Sequence, residues 1–145
     1  MKAVVQRVLN ASVTAGDYYQ SIEQGYLVLL GVHTDDNEDD YQYILKKILS
    51  LRVFEDEQGK MNLSIHQVNG AILLVSQFTL LGSVKGNNRP SFTKSAAPDM
   101  ANTFYERLYT DLNQSIQTKK GVFGAHMAIS LVNDGPVTII IDSKE

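Results

Sequence analysis

Apolar and polar residues alternate from Lys2 to Thr14, so that Ala3, Val5, Arg7, Leu9, Ala11 and Val13 share one face. This period of two predicts a strand with one buried side. Gly16-Asp17 offers a turn into a short strand near Gln20–Gln24. Tyr26–Val32 and Ala71–Val75 are apolar almost throughout, the pattern of strands buried on both faces. Between them the period lengthens to that of a helix. Asp35, Asp36 and Asn37 supply an N-cap and an acidic first turn. Behind them Tyr41, Ile44, Leu45, Ile48 and Leu49 recur on one side, with Lys46 and Lys47 on the other.

A strand near Leu51–Phe54 runs into a turn at Glu57–Gly59, and Gly82 to Lys94 reads as a loop because of its glycines, asparagines and Pro90. Pro98 suits the first position of a second helix, whose buried stripe is Ala101, Phe104, Tyr105, Leu108 and Leu112. Two closing strands, about His126–Val132 and Val137–Asp142, are joined by Asn133-Asp134-Gly135-Pro136. Strands outnumber helices and both helices are one-sided. The expected fold is α+β: one domain over residues 1–145, in which two amphipathic helices cover a largely antiparallel or barrel-like sheet.

Composition narrows this little. With 43% apolar and 20% charged residues the chain has the make-up of an ordinary soluble domain. It has no cysteine, which excludes disulfides and thiolate metal sites and fits a reducing compartment. Met1 to Arg7 lacks a long apolar run followed by small residues, and no apolar stretch is long enough for a membrane span. A cytoplasmic protein without a membrane partner is expected. The net charge of −3 offers no bulk attraction to a phosphate backbone.

Familiar chemistry is missing. His33, His66 and His126 share no ligand spacing with one another or with a carboxylate, and a surface or structural role is expected of each. The acidic group Asp35-Asp36 with Glu38-Asp39-Asp40 is better explained as a solvated helix start than as a metal cluster. No nucleophile elbow, phosphate-binding loop or dinucleotide fingerprint occurs. Neither metal nor cofactor is expected.

Three local features stand out. Arg7 lies on a strand face that is otherwise apolar, either paired and holding something in place there, or on a face that is partly open or from which it snorkels to solvent. The buried strand Ala71–Val75 runs directly into Ser76-Gln77-Phe78-Thr79-Leu80, where a rigid strand end either positions small polar groups for a pocket or simply stops. Gly135-Pro136 follows Asn133-Asp134 between two apolar strands, which by pattern alone reads as a tight turn with a trans peptide.

At these residues the chain resembles the D-aminoacyl-tRNA deacylase family, marked by a Ser-Gln-Phe-Thr-Leu segment and an Asn-x-Gly-Pro segment followed by a short residue and Thr. Both are intact, as Ser76–Leu80 and Asn133–Thr138. Similar stretches are Gln6-Arg7-Val8 with Ala11-Ser12-Val13, Leu29–Val32, Gly59–Leu63 and Arg89–Phe92, so the likeness runs along nearly the whole chain in order.

The resemblance implies a homodimer in which the Gly135–Pro136 peptide is cis and enters the active site of the partner subunit. There its two carbonyl oxygens would hold the substrate's α-ammonium group, so that an L side chain collides with backbone and a D side chain points outward. The achiral glycyl ester, as on mischarged tRNA-Ala, would also pass. The catalytic set is then Ser76, Gln77, Phe78 and Thr79, with the backbone N–H groups of Phe78 and Thr79 stabilising the oxyanion. Nothing near Thr79 in sequence would activate its hydroxyl. Help from the ribose 2′-hydroxyl is therefore preferred, with Thr79 orienting and binding.

The substrate-binding set adds Phe123 against the terminal adenine, Met127 as an apolar contact or a core residue, and Arg7 bracing the Gly-Pro loop. Binding only the 3′ end of aminoacyl-tRNA reconciles RNA with an acidic chain, and Lys85, Arg89, Lys94, Lys119 and Lys120 are candidates for local phosphate contacts or solvated loop charges. Two other readings are a non-catalytic module that binds aminoacyl-tRNA 3′ ends and an editing esterase that prefers L-alanyl-tRNA. Relatives of the latter kind differ in the two segments.

Overall fold

The computed structural model describes residues 1–145. Its first strand, β1 (Lys2–Ala15), follows the expected alternation as far as Arg7 and then departs from it. Val8 is completely buried while Leu9, expected on the inner face, is 52% exposed. The register against the last strand, β8 (Ala128–Asp142), shifts between Gln6, Val8 and Asn10. This irregularity turns Arg7 and Val8 inward together and puts Leu9 outside. Beyond it the alternation resumes with Ala11 and Val13 buried.

β1 is the hub of the sheet. On one edge it pairs with β2 (Tyr18–Ile22) through Ala11–Ala15 and with β3 (Gly25–Gly31) through Lys2–Val8, all antiparallel. Its other edge carries β8 from Lys2 to Thr14. From β3 the sheet continues in parallel, first to β6 (Ala71–Ser76) and then to the unexpected strand β7 (Thr118–Lys120). A separate hairpin of β4 (Phe54–Glu55) and β5 (Met61–Leu63) surrounds the turn at Glu57–Gly59, with β4 beginning later than the apolar pattern suggests.

The six-stranded sheet is mixed and curls into a nearly closed barrel. Its free ends come together where Lys119 Nζ donates to Ser21 O at 2.8 Å and Tyr18 Oη donates to Lys120 O at 2.6 Å.

Two helices cover the outside. α1 (Glu38–Ser50) starts at Asn37, whose side chain accepts from the N–H groups of Asp39 and Asp40, while the Asp40 carboxylate accepts from the Asn37 N–H. Asp36 has a different task from the one the acidic run suggests: it is buried and accepts from the Met1 ammonium at 2.5 Å. α2 (Pro98–Asn113) opens with proline in its first turn and buries Ala101, Tyr105, Leu108 and Leu112. Arg107 of α2 grips Glu38 of α1 with two hydrogen bonds of 2.5 and 2.6 Å.

The core has two parts, as β3 and β6 buried on both faces require. Twenty-two buried residues lie largely between sheet and helices. Eight more, Val8, Ala11, Val13, Ile22, Leu27, Ala71, Leu73 and Val75, line the other face.

Candidate active site

β6 ends where the polar segment begins. Gln77 N–H still donates to Leu30 O at 2.7 Å, after which the backbone tightens into the 3₁₀ turn Phe78–Leu81, with Leu80 N–H on Gln77 O and Gly82 N–H on Thr79 O. The first N–H groups of such a turn have no partner within it. Those of Phe78 and Thr79 meet no acceptor elsewhere in the chain. Two adjacent backbone donors are thus left free at the end of a rigid strand.

Beside them opens a cleft of about 720 Å³. Its walls are the ends of β3 and β6, the segment Ser76–Phe78, the start of α2 at Ala97, Pro98 and Ala101, and the stretch from Phe123 to Met127. Phe78, 53% exposed, stands edge-on to Phe92 with ring centres 5.1 Å apart. Phe123 packs 5.9 Å from Tyr105. The buried Tyr105 hydroxyl donates to Leu74 O at 2.9 Å and lies 3.4 Å from Gly121 O, tying the strand to the segment that leads to Phe123. Burial pushes that hydroxyl above the ordinary tyrosine range, so it stays protonated.

Of the residues expected at the site, Ser76, Gln77, Phe78, Phe123 and Met127 line this cleft together. Thr79 does not line it; it is exposed on the adjoining turn, where its hydroxyl accepts from the Gln77 side-chain amide. Phe92, Ser95, the start of α2 and His126 also form the walls and were not expected there. His126 is the only titratable side chain among the lining residues. Its place one residue before Met127 and three after Phe123 is the one local hint the sequence held.

Arg7, Gly135 and Pro136 form a second group that lines neither this cleft nor a neighbouring cavity of about 440 Å³. The Gly135–Pro136 peptide is cis, where the residue pattern alone favours trans. The segment that carries it does not join two strands by a turn. It lies within β8, whose two halves both pair with β1.

Asn133 closes this irregular stretch. Its Oδ1 accepts from Val137 N–H at 2.8 Å, and its Nδ2 donates to Val137 O and Thr138 Oγ1, each at 3.2 Å. Arg7 is 5% exposed, and its guanidinium donates to Asp134 O at 2.9 Å and to Val53 O at 2.6 Å. Gly135 and Pro136 are exposed beyond these anchors. A Cβ on Gly135 would meet Val137 N at 2.8 Å.

The five candidate cations divide as well. Lys119 is engaged with Ser21 O, and Lys120 pairs with Glu106 while its ammonium lies 4.6 Å over the Tyr109 ring. Lys85, Arg89 and Lys94 are exposed and form no ion pair.

Comparison with known proteins gives concordant results. Residues 4–142 match the family model described as D-Tyr-tRNA(Tyr) deacylase. A D-aminoacyl-tRNA deacylase of Thermosipho africanus is 52% identical over 147 residues, covering 100% of this chain and 99% of that one. Another, from Kosmotoga olearia, is 51% identical over 146 residues with the same coverage. Among solved structures, that of a protein named "c-Myc DNA Unwinding Element Binding Protein" superposes with a TM-score of 0.91 at 42% identity over 98% of both chains. A second, described as that of a probable eukaryotic D-amino acid tRNA deacylase, has a TM-score of 0.84 over 97% of this chain and 98% of that one; at 18% identity it speaks for the fold alone.

Proposed function

The chain belongs to the D-Tyr-tRNA(Tyr) deacylase family, and on that premise we propose that its cleft hydrolyses the ester of D-aminoacyl-tRNA with chirality set by Gly135 and Pro136 of a partner subunit. It is a D-aminoacyl-tRNA deacylase, a carboxylic ester hydrolase. The observation that carries the mechanism is the pair of free N–H groups at Phe78 and Thr79 beside a cleft with a single titratable side chain. Water attacks the ester carbonyl, and the negative charge forming on its oxygen is received by these two donors. The carbon–oxygen bond to the ribose 3′ oxygen then breaks. That oxygen takes up a proton, and the free amino acid leaves.

An aminoacyl ester is already reactive, so the 2′-hydroxyl of the same ribose suffices to position or activate water. Thr79, oriented by Gln77, binds and aligns. Phe123 stacks on the terminal adenine, and Met127 adds apolar contact.

A homodimer fits the second group of residues. Gly135 and Pro136 project from a segment clamped by Arg7 and Asn133, yet lie outside the cleft of their own chain. Placed in the cleft of a second copy, their carbonyls accept from the α-ammonium group and leave no room for an L side chain. Thousandfold rejection requires about 4 kcal/mol, a moderate demand on a steric clash with a held backbone. Glycyl esters, including those mischarged on tRNA-Ala, have no side chain to reject. The reaction belongs in the cytoplasm, where aminoacyl-tRNA is made and used.

The test is release of labelled tyrosine from D-tyrosyl-tRNA and from L-tyrosyl-tRNA. Rapid release from the D form alone is expected. Equal rates, or none with either, would remove the proposal. The 42% identical relative is named for binding DNA, which favours a second reading, a module that binds nucleic acid without catalysis; binding of D-tyrosyl-tRNA with no release of amino acid is its signature.

A further inference from the structure

We propose that the loop between the 3₁₀ turn and α2 is the track along which the RNA strand leaves the cleft, with Lys85, Arg89 and Lys94 each neutralising a backbone phosphate. The inference rests on the reading of the cleft as the seat of an aminoacylated 3′ end.

The charge pattern points to this loop. The chain has 16 acidic and 13 basic residues, yet no aspartate or glutamate occurs from Gln58 through Pro98. Within that stretch the basic residues are Lys60, Lys85, Arg89 and Lys94, the last three on the loop. Elsewhere half of the cations are neutralised: Lys2 by Asp142, Arg7 by Glu55 and Asp134, Lys120 by Glu106, Arg107 by Glu38, and Lys144 by Asp36 and Asp40. Lys46, Lys47, Arg52, Lys60 and Lys119 form no ion pair but are not gathered on one acid-free loop. The three loop cations have no carboxylate partner and are exposed. A local positive strip of this kind attracts phosphates whatever the net charge of the molecule.

The loop is also held at the rim of the cleft. Ser83 and Ser91 exchange backbone hydrogen bonds of 2.8 and 2.9 Å, which closes it into a narrow finger. Ser95 Oγ donates to Phe78 O at 3.2 Å, and Phe92 lines the cleft while packing on Phe78. Lys94 O accepts from Thr34 N–H at 2.9 Å, and Lys94 is among the residues lining the 440 Å³ cavity with Leu80, Gly82, Lys2, Lys144 and Asp142. Lys85 and Arg89 lie on the finger between Ser83 and Ser91 and line neither cavity, so the proposed track passes Lys94 beside the cleft and then follows the finger. The contacts reach phosphates and not bases, so the track accepts any 3′ sequence.

The experiment compares D-tyrosyl-tRNA with 3′-O-(D-tyrosyl)adenosine, which has the ester and the terminal nucleoside but no phosphate track. Three contacts to a single strand give log kcat/KM a slope of about −2 against log salt, so a fourfold rise in salt lowers kcat/KM on tRNA roughly 20-fold. In the triple variant Lys85→Gln, Arg89→Gln, Lys94→Gln the slope should fall close to zero and kcat/KM on tRNA at low salt should drop by at least about 20-fold. Its activity on the adenosine ester should stay within about twofold of wild type, since the reacting groups are untouched. Lys46→Gln with Lys47→Gln, which removes charge from the far face of α1, should leave the salt slope unchanged.

An unaltered slope in the triple variant would overturn the inference, as would an equal loss on both substrates, which would mean that the loop merely shapes the cleft. If the wild-type protein hydrolyses neither ester, it is the reading of the cleft that fails.

Discussion

Replacing Arg7 with methionine tests the link between the buried strand and the Gly135–Pro136 segment. The guanidinium is 5% exposed and serves two backbone acceptors, Val53 O at 2.6 Å and Asp134 O at 2.9 Å. Its contacts with the carboxylates of Glu55 at 3.8 Å and Asp134 at 3.5 Å are long and face solvent, so they contribute little. Methionine keeps most of the apolar volume and removes all the donors.

Each carbonyl left without a partner costs about 1–3 kcal/mol. Because Asp134 is only half-buried, the lower part of the range applies to it, and the sum comes to roughly 3 kcal/mol. In a domain of this size that corresponds to a fall in Tm of about 10 °C. Release of Asp134 should also loosen the peptide beside it, so the ratio of D- to L-tyrosyl-tRNA hydrolysis should drop by about tenfold or more, equivalent to about 1.4 kcal/mol of discrimination. Arg7→Lys should recover only part of both effects, since a single ammonium cannot span two carbonyls as a planar fork does.

Melting followed by circular dichroism measures the first quantity, and parallel single-turnover hydrolysis of the two esters measures the second. A Tm within about 2 °C of wild type would show that the carbonyls do not depend on Arg7. A lowered Tm with an unchanged D-to-L ratio would confine Arg7 to stability and refute its part in selection.

Other substitutions probe separate steps. Phe123→Ala should raise KM for D-aminoacyl-tRNA with little change in kcat, lowering kcat/KM roughly 5- to 150-fold as a stacked base loses about 1–3 kcal/mol; a fall in kcat alone would contradict a stacking role. Gly25→Ala should unfold the protein or cost at least about 3 kcal/mol, because the new Cβ would lie 1.7 Å from Ala71 O across the β3–β6 pairing, and a urea titration reads the loss directly. Acid should also destabilise the helix pair. Hydrogen bonds from Arg107 and Gln42 hold the Glu38 carboxyl at about 2. Although burial works against it, the Asp40 carboxyl is likewise held at about 2 by hydrogen bonds from Ser143, the Asn37 backbone and Lys144. Both folded values lie below those of the unfolded chain, near 4, so the stabilisation is complete above about pH 4 and is lost as the pH falls toward 2. The urea midpoint followed from about pH 6 down to pH 2 should show this decline, and Glu38→Gln combined with Asp40→Asn should flatten it; an equally steep decline in that variant would assign the acid sensitivity elsewhere.

Local periodicity by itself determined the strand β1, the doubly buried strands β3 and β6, both helices with their starts, and the loop after the 3₁₀ turn. These follow from short-range rules: a period of two or 3.6, a capping asparagine, a proline in the first turn. The two signature segments likewise pointed to the family before any geometry was known.

What a period cannot carry is a contact between distant residues. The irregularity that turns Val8 in and Leu9 out arises where β1 and β8 pair out of step. The partners of Arg7 lie 46 and 127 residues away, so its spacing alone leaned slightly toward snorkelling or a partly open face, where the fold buries and pairs it. β7 is three residues long and exists because β6 offers it a parallel edge. The cleft gathers its walls from β3, the Ser76–Phe78 segment, α2 and the stretch before β8, and only this assembly brings His126 and Phe92 into it. The unpaired N–H groups at Phe78 and Thr79 have the same origin, since a donor is free only when the whole fold has placed every acceptor elsewhere.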